Sequence, residues 1–112
     1  MVEIRDLKFF TTSIGKTPFF EWYNSIKDKS TRRIVTAKLR RLQNTDFRNY
    51  KSVGEEVFEL RIFYGPGYRI YFGFMRNQIV IILAGGDKAS QLKDINLAIT
   101  LWREFQDAVK EF

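Results

Sequence analysis

The 112-residue sequence predicts a single α+β domain over residues 1–112. Apolar residues recur at helical spacing in the first half, follow strand patterns between residues 57 and 84, and return to helical spacing near the C-terminus. A chain of this length buries about two-thirds of its unfolded surface, which is enough for one core. We therefore expect a small antiparallel sheet, an N-terminal strand plus a three-stranded meander, packed with two N-terminal helices and one C-terminal helix.

The N-terminal half carries signals for one strand and two helices. Alternation over residues 2–9 predicts the first strand. Thr17 followed by Pro18 predicts a helix start, because threonine is a good N-cap and proline fits the first helical position. A second helix is expected over residues 31–42, and residues 43–56 show no clear period and are expected to form a loop. The buried stripe of the second helix has the spacing i, i+4, i+7 and consists of Val35, Leu39 and Leu42.

The C-terminal half carries signals for three strands and a helix. Residues 57–62 and 68–75 alternate between two faces, and the Tyr-Gly-Pro-Gly turn signal over residues 64–67 predicts that they pair as a hairpin. Residues 79–84 are apolar on both faces, which is typical of a strand covered on both sides. A final helix is expected over residues 90–109.

The composition excludes several kinds of chemistry. The chain has neither histidine nor cysteine, so thiol nucleophiles, thiolate metal sites and imidazole acid/base catalysis are excluded, and no metal site is expected. Two glycine-rich nucleotide-binding motifs, G-x-G-x-x-G and G-x-x-x-x-G-K-(S/T), do not occur in the sequence, and no cofactor is expected. No apolar run approaches the roughly 20 residues that span a bilayer, and the N-terminus lacks a secretory pattern. We therefore expect a cytoplasmic protein that does not bind membranes.

The positive charge is concentrated in one segment. The whole chain has a net charge of +6, whereas residues 27–51 hold nine basic and two acidic residues, a net charge of +7. Such an excess is expected where a protein contacts phosphates or an acidic partner. A solvated helix face that only keeps the protein soluble is at least as good an interpretation of the charge alone.

Arg61 and Arg69 are candidate anion-binding residues. Both lie on the polar-facing side of neighbouring predicted strands, and Tyr71 shares that side with Arg69. Same-face side chains of adjacent antiparallel strands approach to about 5–8 Å, so the two guanidinium groups can converge on one anion. The alternative is that Glu59 lies between them in a surface salt bridge, worth under about 1 kcal/mol.

Two further features have alternative interpretations. Gly85 and Gly86 follow the buried strand and precede Lys88, so they either admit a ligand or simply turn the chain into the last helix. Three aromatic residues, Phe63, Tyr64 and Tyr68, are able to stack on bases. Aromatic residues on strands more often belong to the core, which is the interpretation favoured here.

Motifs along nearly the whole chain resemble a known family. They are Gly15-Lys16-Thr17-Pro18-Phe19 with Glu21-Trp22, Val53-Gly54-Glu55, Glu59-Leu60-Arg61-Ile62, Tyr64-Gly65-Pro66-Gly67-Tyr68-Arg69-Ile70-Tyr71-Phe72-Gly73, and Gly85-Gly86-Asp87-Lys88 with Gln91, Lys93, Asp94 and Ile95. With these motifs the chain resembles the phage-derived HigB-like branch of the RelE/ParE superfamily, the toxins of type II toxin–antitoxin systems, often called addiction-module killer proteins.

The resemblance implies a toxin that cleaves mRNA on the translating ribosome and is neutralised by a cognate antitoxin, usually a helix-turn-helix DNA-binding protein. It assigns catalysis to Arg61, Arg69 and Lys88. Glu59 stands where well-known relatives carry lysine, and Asp94 lies near the place of a catalytic tyrosine or histidine in some of them. The residues expected to contact RNA or the ribosome are Arg32, Arg33, Lys38, Arg40, Arg41, Arg48, Lys51 and Tyr71.

The mechanism and the target are left open by the sequence. Arginine stabilises charge but does not act as a base, so Glu59, Lys88, Tyr71 and Lys51 are the candidates for moving protons. Orientation by the ribosome, which is worth about 7–11 kcal/mol, is expected to supply much of the rate. Two alternatives are a ParE-like inhibitor of DNA gyrase that cuts no RNA, and a decayed toxin retained as half of a DNA-binding repressor complex.

Overall fold

The computed structural model describes residues 4–110 of the chain. These residues form five strands, three α-helices and one short 3₁₀ helix at Lys88–Ser90. In chain order the elements are β1 (Asp6–Phe9), α1 (Pro18–Ser25), α2 (Lys29–Leu42), β2 (Lys51–Gly54), β3 (Val57–Ile62), β4 (Tyr68–Met75), β5 (Ile79–Gly86) and α3 (Gln91–Lys110). The predicted α+β class is confirmed.

The sheet is larger than predicted and is mixed rather than antiparallel. Its strand order is β1-β5-β4-β3-β2. The meander from β3 to β5 is antiparallel as expected, but β1 pairs with β5 in parallel. The N-terminal strand begins at Asp6, and residues 2 and 3 of its predicted span lie outside the described range. The two helices carry the chain from β1 to the opposite edge of the sheet at β2, and the antiparallel run from β2 to β5 then places β5 beside β1 in the parallel direction.

The additional strand, β2, occupies the segment that the sequence predicts to be a loop. It is an edge strand, exposed along most of its length, and therefore lacks an alternating apolar pattern. A register shift between Ser52 and Gly54 interrupts its pairing with β3. The tight turn that follows uses positive φ angles at Glu55 and Glu56. These irregularities hide the strand from a search for period-two alternation.

The two N-terminal helices differ in how they are capped, since the Thr17 side chain makes no capping hydrogen bond within the described residues whereas that of Asp28 does. Thr17 is the N-cap of α1 and Pro18 is its first residue, as predicted. The second helix begins two residues earlier than expected, at Lys29, because the side chain of Asp28 caps it by accepting a hydrogen bond from the Ser30 N–H at 3.1 Å. The predicted stripe of Val35, Leu39 and Leu42 is buried.

The helices divide between the two faces of the sheet. On one face, buried residues of α1 and α2 pack against Leu60, Ile62, Ile70 and Phe72. On the other face, Ala98, Leu101 and Trp102 of α3 pack against a second set of strand residues, Val57, Tyr71, Ile81 and Leu83. The side of β3 and β4 that the sequence marks as polar is therefore covered by α3. Among residues 4–110, no helix is long and apolar enough to cross a bilayer.

Candidate functional site

The site is built on three adjacent strands. Arg61 of β3 lies directly opposite Arg69 of β4, so the predicted pairing of these arginines on one face is confirmed. Glu59 lies opposite Tyr71 on β4 and, across its other edge, opposite Lys51 on β2. The register of the sheet therefore brings three cations and one carboxylate together.

The carboxylate of Glu59 lies at the centre of this group. Its Oε1 is 3.1 Å from Arg61 Nε and 3.8 Å from Lys51 Nζ, and its Oε2 is 3.6 Å from Arg69 Nε. The alternative drawn from the sequence, a Glu59 salt bridge on the surface, is wrong about the location, because Glu59 is only 1% exposed. The acid does separate the two arginines, but it does so inside the protein.

Two neutral side chains complete the shell of Glu59. The Tyr71 hydroxyl donates to Oε2 at 3.0 Å, and Gln91 Nε2 at the start of α3 donates to the same oxygen at 2.9 Å. Burial raises the pKa of Glu59, but the hydrogen bonds from Gln91, Arg61 and Tyr71 outweigh it and hold the pKa below its ordinary value. Glu59 is therefore ionised at neutral pH. We call Lys51, Glu59, Arg61, Arg69, Tyr71 and Gln91 the Glu59 cluster.

Tyr71 has a different position from the one expected of an RNA-contacting residue. It is fully buried, and burial, followed by the negative charge of Glu59, raises the pKa of its hydroxyl well above the ordinary value of 10.0. The hydroxyl therefore remains protonated at neutral pH and serves as a donor to Glu59. Tyr71 acts on the site through Glu59 and offers no surface to RNA in this conformation.

Arg69 is held by the turn that precedes β4. Its Nη1 donates to the carbonyl oxygen of Gly67 at 2.9 Å, and the residue is 6% exposed. Gly67 has a φ of +78°, a region that favours glycine, and a Cβ there would lie 3.7 Å from Arg69 Nη1 and 3.8 Å from the Lys88 Cβ. The turn thus brings the exposed Lys88 to the Arg69 end of the Glu59 cluster.

The two glycines at the end of β5 are required for packing. A Cβ on Gly85 would lie 2.2 Å from the ring of Trp22, and a Cβ on Gly86 would lie 1.8 Å from Asp94 Oδ2. Both glycines belong to the strand itself. The sequence offered two interpretations of Gly85 and Gly86, a loop that admits a ligand and a turn into the last helix, and neither one describes these two strand residues. Trp22 and Asp94 occupy the space that a side chain would need.

A groove of about 170 Å³ opens beside the Glu59 cluster. Lys51 and Arg61 supply its charge, and Phe63, which follows β3, is 86% exposed at its rim. The residues that line it are Asn49, Tyr50, Lys51, Glu59, Arg61 and Phe63. Lys51, which the sequence groups with the ribosome-contacting residues, therefore belongs to the same site as Arg61. The expectation that aromatic residues here form core is wrong for Phe63 and for Tyr64, which is 42% exposed.

The other predicted RNA-contacting residues lie elsewhere. Arg32, Arg33 and Arg40 line a groove of about 460 Å³ with Tyr23, and Arg41 joins Arg40 in a neighbouring groove. Their helix, α2, packs on the sheet face opposite to the one that Glu59 shares with α3. Lys38 is half-buried and Arg48 is exposed. The chain therefore has two separate cationic regions.

The sequence assigned no role to Gln91 and did not place Lys51 beside Glu59. Gln91 is 32 residues from its partner Glu59, and only the packing of α3 brings them together. Lys51 was placed in a loop, and its position opposite Glu59 depends on the pairing of β2. No group of three or more carboxylates able to hold a metal ion is found among residues 4–110.

Comparison with known proteins identifies the family. Residues 21–103, which include the whole Glu59 cluster and Lys88, match the family described as phage-derived protein Gp49-like. An "Uncharacterized protein" of Haemophilus influenzae is 41% identical over 86 residues, which cover 77% of this chain and 87% of that protein. The chain therefore belongs to the Gp49-like family of phage-derived proteins.

Proposed function

We propose that this protein is the toxin of a type II toxin–antitoxin system and that it inhibits translation by cleaving mRNA on the ribosome. Its membership of a phage-derived family and the resemblance to the RelE/ParE superfamily support this proposal. One observation carries it: two directly opposed arginines and a lysine converge on a single buried carboxylate beside an open groove.

The charge of the cluster favours an anionic ligand. Three cations surround one carboxylate, so the cluster retains a net positive charge after its internal ion pairs are counted. The Arg61 side chain is 39% exposed and that of Lys51 is 55% exposed, whereas the Arg69 side chain is only 7% exposed. Arg61 and Lys51 are therefore able to bind phosphate oxygens directly. Glu59 and Arg69 fix the groups around these two side chains before a ligand binds.

Cleavage requires a ribose 2′-OH to lose its proton to solvent water and attack the adjacent phosphorus, which forms a 2′,3′-cyclic phosphate and releases the 5′-oxygen of the next nucleotide as a protonated hydroxyl. The phosphorane formed on the way carries additional negative charge, and we assign its stabilisation to direct contacts from Arg61 and Lys51 and to the nearby charge of Arg69. Lys88 is proposed to assist the leaving oxygen as a cation or acid. Glu59 is ionised, has a lowered pKa and is buried, so it is a poor proton acceptor and acts by orienting the cations.

The remaining steps of the proposal concern partners. The basic surface of α2 binds ribosomal RNA and brings the toxin to its substrate, which predicts a strong dependence on salt. A cognate antitoxin, a helix-turn-helix DNA-binding protein, neutralises the toxin. The protein acts in the cytoplasm, where translating ribosomes are found.

The experiment is primer extension on a defined mRNA after incubation with purified ribosomes and the protein. We expect cleavage on ribosomes and much slower cleavage of the same RNA alone. Arg61→Ala should lower the rate by about 10²- to 10³-fold. Arg103→Ala is the matched control, because Arg103 is an exposed arginine paired with Glu55 away from the cluster and its loss should leave the rate unchanged.

Two results would contradict the proposal. One is equal cleavage of free and ribosome-bound RNA, and the other is full activity of Arg61→Ala. A DNA supercoiling assay run in parallel distinguishes the alternative target, since an inhibitor of DNA gyrase would block supercoiling and leave the mRNA intact.

A further inference from the structure

Phe63 is the most exposed of the large apolar side chains found in the described range, at 86%. It follows directly after β3, whose last residue, Ile62, is buried. Its neighbour Arg61 makes an ion pair with Glu59, so the ring lies next to the charged cluster. A large ring left in water beside fixed cations is typical of a surface that binds a partner with both charge and an apolar face.

One side of the groove beside the Phe63 ring is fixed by aromatic packing. Tyr50 lines the groove and is held by rings of the core, with centroids 5.4 Å from Phe58, 5.3 Å from Phe72 and 5.7 Å from Phe74. The groove volume of about 170 Å³ is below the range of roughly 300–1,000 Å³ that is typical of small-molecule sites. The groove therefore suits one flat ring rather than a complete cofactor.

The chemistry of the groove matches one nucleotide. Lys51 and Arg61 supply positive charge for a phosphate, and Phe63 supplies a face for stacking. Asn49 adds a side-chain amide, which has both donors and an acceptor for the edge of a base. In a duplex the bases are already stacked on each other and cannot reach such a ring, so the groove suits a single-stranded nucleic acid.

We propose that Phe63 is a base-stacking subsite for single-stranded RNA, in which an unpaired base lies on the Phe63 ring and a phosphate beside it binds Arg61 and Lys51. The subsite rests on the proposed function and specifies its substrate as an unpaired stretch of the message. Lys51 and Arg61 share the single carboxylate of Glu59, so the groove keeps a net positive charge that favours the phosphates of RNA over the apolar face of a partner protein.

The test is direct binding of a short oligoribonucleotide that carries the fluorescent base 2-aminopurine, without ribosomes. Stacking on Phe63 should quench the fluorescence when the wild-type protein binds. Phe63→Ala should weaken binding by about tenfold or more and abolish the quenching, whereas Phe63→Trp should retain both, since base stacking tolerates any large aromatic face. Tyr64→Ala is the matched control, because Tyr64 is the neighbouring exposed aromatic residue and does not line the groove.

Two results overturn the proposal. Unchanged RNA binding and quenching in Phe63→Ala would mean that the ring contacts something else, such as a protein. An equal loss in Tyr64→Ala and Phe63→Ala would mean that no specific subsite exists. The outcome is independent of the cleavage assay: quenching lost in Phe63→Ala supports the subsite even if ribosome-bound mRNA is not cleaved, and cleavage with no quenching refutes the subsite alone.

Discussion

The two cationic regions of this protein differ in what holds their charges. The basic surface of α2 carries arginines and lysines that form no ion pair among residues 4–110, and they face solvent or an open groove. In the Glu59 cluster, one buried carboxylate fixes the cations on three strands. The first region offers long-range attraction, and the second offers defined geometry at one point.

We infer from this difference that the surface of α2 contributes affinity for a polyanion and that the Glu59 cluster contributes the chemistry. Exposed, unpaired cations attract a polyanion, and salt weakens the attraction because counterions compete. Cations held by a buried acid are already oriented and need little rearrangement when charge develops on a bound phosphate. We therefore expect changes in the Glu59 cluster to affect stability and rate, and changes on α2 to affect binding alone.

The largest expected effect comes from Glu59→Gln. The change keeps the shape but removes the charge that compensates the buried Arg69, so it should lower the free energy of unfolding by about 3–5 kcal/mol. Urea unfolding at neutral pH measures this loss. Glu55→Gln is the matched control, because Glu55 pairs with Arg103 on the surface and should cost less than about 1 kcal/mol. Equal losses in the two variants would contradict the account.

The effect of Glu59 should depend on pH in a defined direction. Its folded-state pKa is lowered, so its contribution to stability is complete above the ordinary value of 4.5 and is lost as the pH falls through the folded-state pKa. The difference in unfolding free energy between wild type and Glu59→Gln should therefore shrink in acid below about pH 4.5. A difference that stays constant from pH 7 to pH 3 would refute the lowered pKa of Glu59.

A smaller effect is expected from Tyr71→Phe. This variant removes one hydrogen bond to the ionised Glu59, a loss of about 1.5–3 kcal/mol in unfolding free energy. Tyr23→Phe is the comparison, since within residues 4–110 its hydroxyl bonds to the neutral Thr36 at 3.2 Å and its loss should cost about 1 kcal/mol. The prediction fails if urea unfolding gives Tyr71→Phe the smaller loss.

The smallest effect on stability is expected on α2. The double variant Arg33→Ala, Arg40→Ala should change the unfolding free energy by no more than about 0.5 kcal/mol per residue, because both residues are exposed and unpaired. The slope of ribosome affinity against salt concentration, on logarithmic scales, should fall by about one for each arginine removed. Ribosome co-sedimentation over a range of salt concentrations measures this slope, and an unchanged slope would remove α2 from the binding surface.

Alternation in the sequence was enough to predict that Arg61 and Arg69 share one face of the sheet, whereas their direct opposition depends on the register of the strands. The side-chain period in a strand is two, so the faces of β3 and β4 follow from the order of residues alone. The burial of Glu59 did not follow, because it depends on α3 covering that face and on Gln91, which is distant in sequence. The position of Lys51 opposite Glu59 was not predicted, because an exposed, irregular edge strand has no apolar pattern.

The exposure of Phe63 was missed for a related reason. Aromatic residues next to a strand usually continue its buried face, but β3 ends at Ile62 and the chain enters the turn to β4. The turn residues were recognised, whereas the direction in which the ring leaves the sheet depends on the local backbone. The exposure of side chains on a short turn is therefore harder to predict than that of side chains on the strands that flank it.

The separation of the two regions is tested most directly by single-turnover cleavage of ribosome-bound mRNA at increasing ribosome concentration. The account predicts that Arg61→Ala lowers the saturating rate by about 10²- to 10³-fold. The double variant Arg33→Ala, Arg40→Ala should instead raise the ribosome concentration for half-maximal rate and leave the saturating rate unchanged. A lower saturating rate in the α2 variant, together with an unchanged saturating rate in Arg61→Ala, would contradict the separation of the two regions.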